Sequence, residues 1–419
     1  MDHFQYRNGI LHAEDVPLPA IAAAVASPVY VYSRATLERH ARVFQDALKP
    51  AGDVEVAFAV KANPNLAVLR VLANAGMGAD VVSGGELRRA LAAGVGRDRI
   101  VFSGVGKTDA ELALGLEENI GQFNIESEEE GIELSAIAAS KGATAYCTLR
   151  VNPDVDAGTH AKISTGKAEN KFGVPIDRAP AIYARLAALP GLRLRGVAVH
   201  IGSMIADLAP MAAAIMRMGE LVGALRGNGH VVTHVDLGGG LGVRYRPDDA
   251  PPTPTDYGAM VARATKGWGV RLMFEPGRVI VGNAGVLLTK VIRVKPGATH
   301  PFVVVDAAMN DLARPALYDA YHHFEPVIET NTTFTANIVG PVCESGDTFA
   351  MARDCGVVGA GDLAVFRTAG AYGATMASTY NSRDLVPEVL VDGSRHAVVA
   401  DRIPAATVMG AERVPDWLG

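Results

Sequence analysis

Lys61 closes an apolar run, Ala57-Phe58-Ala59-Val60-Lys61-Ala62-Asn63. An ammonium group at such a place is poorly hydrated. Desolvation favours the neutral amine, a nucleophile that a carbonyl compound can capture. A lysine snorkelling off a strand end has the same local sequence, so the chemistry has to be argued from its company. His200-Ile201-Gly202-Ser203 sets an imidazole after another apolar run, where it can lie flat against a planar ring or serve as a core histidine. Asp236-Leu237-Gly238-Gly239-Gly240-Leu241-Gly242 strings together glycines. Their N–H groups can close on an anion with no side chain in the way. The spacing is not that of a dinucleotide fingerprint, and a plain turn is the alternative. Phe274-Glu275-Pro276-Gly277-Arg278 offers a carboxylate able to keep a pyridine-type nitrogen protonated, or a surface Glu–Arg pair.

Further segments add charge and acid–base groups. Arg314 and Tyr318 stand in the stretch 310–321, Cys343 and Glu344 in Gly340-Pro341-Val342-Cys343-Glu344-Ser345-Gly346-Asp347, and Tyr372 among small residues in Gly370-Ala371-Tyr372-Gly373-Ala374. His322-His323 has a metal-like look, but adjacent residues rarely serve one metal well, and no metal is expected. Cys147 and Cys355 read as small structural residues.

These groups need elements to position them. Eight short β-branched or apolar runs fall at 54–60, 79–82, 100–103, 122–125, 144–151, 194–200, 232–237 and 270–275, with stretches of helical periodicity between them. Strand–helix alternation implies parallel βα units, and eight of them in about 230 residues is the arithmetic of an α/β (β/α)8 TIM barrel. An open doubly wound sheet is the alternative. Barrel enzymes carry their chemistry where strands run into loops at the C-terminal face, with phosphate sites frequently after strands seven and eight. Lys61, His200, the glycine run and Glu275 all stand at predicted strand ends. After residue 283 the texture changes to short Val/Thr/Ile/Phe runs punctuated by Gly, Pro and Asp, a mostly antiparallel β-sandwich or barrel-like domain. The expected division is 1–30 (strands joining the β domain), 31–282 (barrel) and 283–419 (C-terminal β domain).

Composition narrows the classes. Of 419 residues 49% are hydrophobic and 20% charged, a globular balance, and the net charge of −6 without any Lys/Arg-rich block argues against nucleic-acid binding. Three scattered cysteines make neither a disulfide framework nor a zinc site, so a cytoplasmic protein is expected. The small-residue run 18–28 follows acidic rather than basic residues and is not read as a signal sequence. No stretch is expected to span a membrane.

Seven ordered motifs, spread over residues 27–400, resemble the diaminopimelate decarboxylase family, within the alanine-racemase-like class of pyridoxal-phosphate enzymes. They are the run ending at Lys61-Ala62-Asn63, the stretch 79–86 (ADVVSGGE), His200 to Ser203, the glycine run, Glu275 to Arg278, Arg314 to Tyr321, and Gly340 to Asp347. The stretch 169–173 (ENKFG) is also similar, and Ala307 stands where the family usually has glycine.

The resemblance implies that Lys61 carries pyridoxal 5'-phosphate as a Schiff base. Gly239, Gly240, Pro276, Gly277, Arg278 and Tyr372 would surround its phosphate with help from Ser203, His200 would stack on the ring, and Glu275 would pair with the ring nitrogen. Arg278, Arg314, Tyr318, Glu344 and Tyr372 would bind substrate. Cys343 would act as an acid, reaching with Glu344 into the site of a partner subunit, so a homodimer is implied. A glutamate at the ring nitrogen makes a strong electron sink and suits decarboxylation over racemisation. A distal group bearing both charges needs an anion and a guanidinium together. Glu344 with Arg278 and Arg314 provides this, favouring meso-2,6-diaminopimelate, giving L-lysine and CO2. The alternatives are decarboxylation of ornithine, arginine or carboxynorspermidine, and a non-catalytic partner-binding chain.

Overall fold

The computed structural model describes residues 2–156 and 170–419; of the stretch 169–173 only Glu169 lies outside the described residues. The chain forms two compact units: one comprising Glu38–Arg244 and Ala250–Ile280, the other Met1–Leu37, Tyr245–Asp249 and Val281–Gly419.

The first unit is a closed parallel barrel. Its strands are Val54–Ala59, Gly78–Val81, Ile100–Phe102, Gln122–Ile125, Ala145–Asn152, Leu192–Ala198, His234–Asp236 and Arg271–Phe274. Each pairs in parallel with the next, and the eighth returns to the first through Leu272 to Val54 and Phe274 to Val56. Closure decides against the open sheet. Most strand residues are buried, as expected where the barrel interior lies on one face and helices on the other.

Six of the helices that follow start at side-chain caps. Asn65, Ser83, Thr108, Ser127, Asp207 and Thr253 each accept a backbone N–H of the first turn, and Thr108 and Thr253 form reciprocal capping boxes with Glu111 and Asp256. Such caps satisfy donors that the helix leaves open and fix where each βα loop ends. The helix Leu208–Gly227 corrects one expectation: by length and composition it qualifies as a membrane span. Its buried residues Met211, Ala214, Ile215, Met218, Val222 and Leu225 recur at three- and four-residue spacing, the stripe of a helix laid on a core.

The second unit is mostly antiparallel sheet. Gly285–Lys295 is its central strand, pairing with Val29–Ser33, Phe302–Val305 and Leu363–Phe366. Val29–Ser33, wholly buried, lies between that strand and Glu388–Asp392. Residues from both ends of the chain therefore share one core, with Phe4, Leu11, Leu18, Ile21, Val31, Leu288, Val365 and Val391 packed together.

Candidate active site

Within the barrel unit, Lys61 lies in a short helical turn, Val60–Ala62, directly after the first strand. Its Nζ donates to Asp80 Oδ2 at 2.7 Å, and Asp80 is fully buried at the end of the second strand while the lysine is 39% exposed. The other oxygen of Asp80, Oδ1, is buried with no hydrogen-bond partner among the described residues. An unsatisfied carboxylate oxygen beside a half-open ammonium group marks a place built for something more than the protein itself.

Glu275 follows the eighth strand. Its Oε1 accepts from Ser103 Oγ at 3.2 Å and from Asn124 Nδ2 at 3.1 Å. Asn124 Nδ2 also reaches Asp236 Oδ2 at 3.0 Å. Burial, with the negative charges of Asp236 and Asp80 close by, holds the Glu275 carboxyl well above the usual carboxylate range; Lys61 pulls the other way. Burial raises the Asp236 carboxyl too.

His200 comes two residues after the sixth strand and meets the glycine run. The N–H of Gly239 donates to His200 Nδ1 at 3.1 Å. A backbone N–H can only donate, so Nδ1 is unprotonated and the imidazole is fixed as one neutral tautomer. Burial first, then the positive charges of Arg150 and Lys61, holds its pKa well below the ordinary histidine value. A neutral flat ring is suited to stacking.

The glycines themselves admit no side chain. A Cβ on Gly239 would lie 2.2 Å from the carbonyl oxygen of Glu275, and one on Gly240, at φ +110°, would lie 2.3 Å from that of Gly202. Ile205 N–H donates to Gly240 O at 2.9 Å, stitching the loop after strand six to the loop after strand seven. Arg278, buried, donates to Ser203 Oγ at 3.2 Å.

The barrel thus brings together Lys61, His200, Ser203, Gly239, Gly240, Glu275 and Arg278. Asp80, Ser103, Asn124 and Asp236 were not singled out from the sequence. The available signal was a polar residue at or just past the C-terminal end of an otherwise apolar strand.

Pro276 and Gly277 lie in the barrel unit as well, and the β unit carries Arg314, Tyr318, Cys343, Glu344 and Tyr372. Arg314 is buried, and its Nη1 lies 2.8 Å from His322 Nε2. His322 Nδ1 lies 2.9 Å from the carbonyl of Arg367, so Nδ1 bears the proton and Nε2 accepts from Arg314. Tyr245 closes the arrangement, 4.8 Å beneath the guanidinium and edge-on to His322. His322 is thus an orienting residue for Arg314, a role the sequence reading missed when it weighed the histidine pair only as a metal motif. Asp347 ties down the loop that bears Cys343 and Glu344, accepting from Val342 N–H at 2.6 Å and Met309 N–H at 2.7 Å. Cys343 and Glu344 stand exposed on that loop, Glu344 accepting from Tyr380 Oη at 2.6 Å. Tyr318 and Tyr372 are half-buried, the latter at φ 55°.

Comparison with known proteins shows the family. Residues 34–282 match the family model of the pyridoxal-binding domain of pyridoxal-dependent decarboxylases. The chain is 54% identical over 418 residues to diaminopimelate decarboxylase of Zymomonas mobilis, covering 99% of each. The chain belongs to the diaminopimelate decarboxylase family. A second family member, from Vibrio cholerae, is 46% identical over 419 residues, again covering 99% of each chain. The crystal structure of the M. jannaschii diaminopimelate decarboxylase in co-complex with L-lysine superposes with a TM-score of 0.96 at 34% identity, covering 100% of this chain and 99% of that one. The Helicobacter pylori enzyme complexed with L-lysine gives 0.90 at 36% identity, covering 94% and 98%.

The residues present fit the family's cofactor. The donor set is an amine, a flat neutral imidazole, a buried carboxyl group and a glycine loop packed too closely against neighbouring carbonyls to admit a Cβ, and Asp80 keeps an unsatisfied oxygen beside the amine.

The neutral state of His200 gives a pH prediction. Unfolded, it binds a proton below pH ~6.5, which the native protein refuses, so it lowers stability as pH falls through that value. Replacing His200 with Gln, whose amide oxygen can still accept from Gly239, should flatten the loss of unfolding free energy between about pH 6.5 and 5.5 by up to ~1.4 kcal/mol per pH unit. Urea denaturation at the two pH values reads this directly; identical slopes in variant and wild type would show that His200 is not held neutral.

Proposed function

We propose that this chain decarboxylates meso-2,6-diaminopimelate to L-lysine and CO2, the last step of lysine synthesis, using pyridoxal 5'-phosphate. The observation that carries this reading is the convergence of Lys61, Glu275 and the glycine cradle in one barrel, in a chain alike over its full length to diaminopimelate decarboxylases. Lys61 holds the cofactor covalently through its amine. Gly239, Gly240, the Gly277–Arg278 turn that follows Pro276, and Tyr372, with Ser203, would hold its phosphate, and His200 would lie against its ring. When bound, the cofactor supplies the electron sink for the bonding pair left behind by CO2.

The chain's own residues do the rest. Glu275 accepts a hydrogen bond from the protonated ring nitrogen. Cys343 gives a proton to the substrate α-carbon after CO2 has left. The distal end of diaminopimelate bears an ammonium and a carboxylate; Glu344 meets the first, Arg278 and Arg314 the second, with Tyr318 and Tyr372 beside them. The locked orientation of Arg314 between Tyr245 and His322 supports this, because a planar guanidinium held in one plane recognises carboxylate geometry. Ornithine and arginine lack that distal carboxylate and leave the guanidinium unanswered. The exposure of Cys343 and Glu344 on a loop pinned by Asp347 supports their use in a partner's site, and so a homodimer.

The deciding assay is release of L-lysine from meso-diaminopimelate by the protein reconstituted with pyridoxal phosphate. Lysine release with negligible turnover of ornithine and arginine is expected; the reverse preference would reject the substrate assignment. Replacing Arg314 with Ala should raise KM for diaminopimelate by about a hundredfold or more, the value of a charge-assisted bidentate contact of roughly 3 kcal/mol. The visible absorbance of bound cofactor should be unchanged. Equal loss of cofactor and substrate binding would contradict the role given to Arg314.

A further inference from the structure

Asp236, at the end of the seventh barrel strand, is 1% exposed, and nothing in the proposed function employs it. Its Oδ2 accepts from Asn124 Nδ2 at 3.0 Å, and the same nitrogen reaches Glu275 Oε1 at 3.1 Å, so one amide group holds two carboxyl groups side by side. The two carboxyl groups are close enough to act on each other's proton. The amide cannot turn over: Asn124 Oδ1 accepts from Gln122 Nε2 at 2.8 Å and from Thr148 Oγ1 at 2.5 Å, which leaves Nδ2 facing the carboxyl groups. Asp236 Oδ1 accepts from the N–H of Gly238 at 2.8 Å.

Among the described residues no cation touches Asp236. The titratable groups facing the pair are Asp80, Lys61, which is engaged by Asp80 at 2.7 Å, and the phenol of Tyr257. Two carboxyl groups this close in a water-poor place cannot both ionise unless a proton or a cation sits with them. A protonated pyridine nitrogen is such a cation.

We propose that Asp236 is a positioning residue for Glu275, and that its buried negative charge raises the proton affinity of the seat so that the ring nitrogen of pyridoxal phosphate stays protonated. The proton balance is simple. The O–H bond of the Glu275 carboxyl breaks, an N–H bond forms on the ring nitrogen, and Glu275 remains as the carboxylate that accepts from it. Burial, which pushes both carboxyl groups upward, and the Asp236 charge, which pushes Glu275 further, agree with a proton held by the pair before the cofactor arrives. The inference rests on the reading that this chain binds pyridoxal phosphate with Glu275 at its ring nitrogen.

The test is nitrogen NMR of the holoenzyme loaded with pyridoxal phosphate labelled with 15N in the ring, together with steady-state kinetics and thermal denaturation. In Asp236→Asn the ring resonance should move toward the unprotonated position. The kcat should fall about ten- to a hundredfold, the equivalent of one to two pKa units, and KM should stay within about twofold, because ground-state binding is untouched. The amide keeps an acceptor for Gly238, so the variant should fold, and thermal denaturation with a cooperative transition checks that it does. Asp236→Ser, smaller and also neutral, should show the same resonance shift, and Asp236→Glu, which keeps the charge, should not. If Asp236 only braces the glycine turn, the ring resonance and kcat of Asp236→Asn will match wild type, and the inference is overturned. A wild-type chain that binds no pyridoxal phosphate, or binds it with the ring nitrogen unprotonated, would instead overturn the cofactor reading itself and this inference with it.

Discussion

Keeping a carboxyl group such as that of Glu275 at the end of an apolar barrel costs several kcal/mol when the group is ionised, unless donors converge on it. Much of the polar architecture at the strand ends answers that cost. Ser103 from the third strand's end and Asn124 from the fourth donate to Glu275 after the eighth, and Asn124 donates as well to Asp236 from the seventh. Asp80 from the second strand engages Lys61 after the first. The contacts at Glu275 do not exist until the strands have closed into a ring, because they join residues as far apart as 172 positions in the chain. The barrel is therefore the device by which a lysine, a histidine and three acids, each costly to bury alone, are placed within mutual reach.

The barrel was legible in the sequence because its signals are local. Buried parallel strands must be apolar along short runs, the helices between them must repeat at three to four residues, and each of the eight strands falls within or close to an expected run. Lys61, His200, Glu275 and the glycine run could be picked out because each breaks an apolar run at its end. Asp80 and Asp236 break theirs too, but an aspartate at a strand end is an ordinary thing, and only the cross-barrel geometry shows what it faces.

The β unit was harder to read in detail. Val29–Ser33 is sandwiched between strands more than 250 residues later in the chain, and no local pattern names such partners. His322 illustrates the same limit at a single residue. Beside His323 it suggests a metal motif, yet its two nitrogens are committed to Arg314 and to the carbonyl of Arg367. The helix Leu208–Gly227 errs in the other direction, since hydropathy alone would send it into a membrane and only its buried stripe shows that it lies on a core.

The central claim is that Lys61 is the residue to which the cofactor is bound. Borohydride reduction of the pyridoxal-phosphate-loaded protein, followed by protease digestion and peptide mass spectrometry, tests it most directly. The mass of the reduced cofactor should appear on the peptide containing Lys61 and be lost in Lys61→Ala. Labelling at the buried Lys107, or at any other lysine with Lys61 unmodified, would contradict the account.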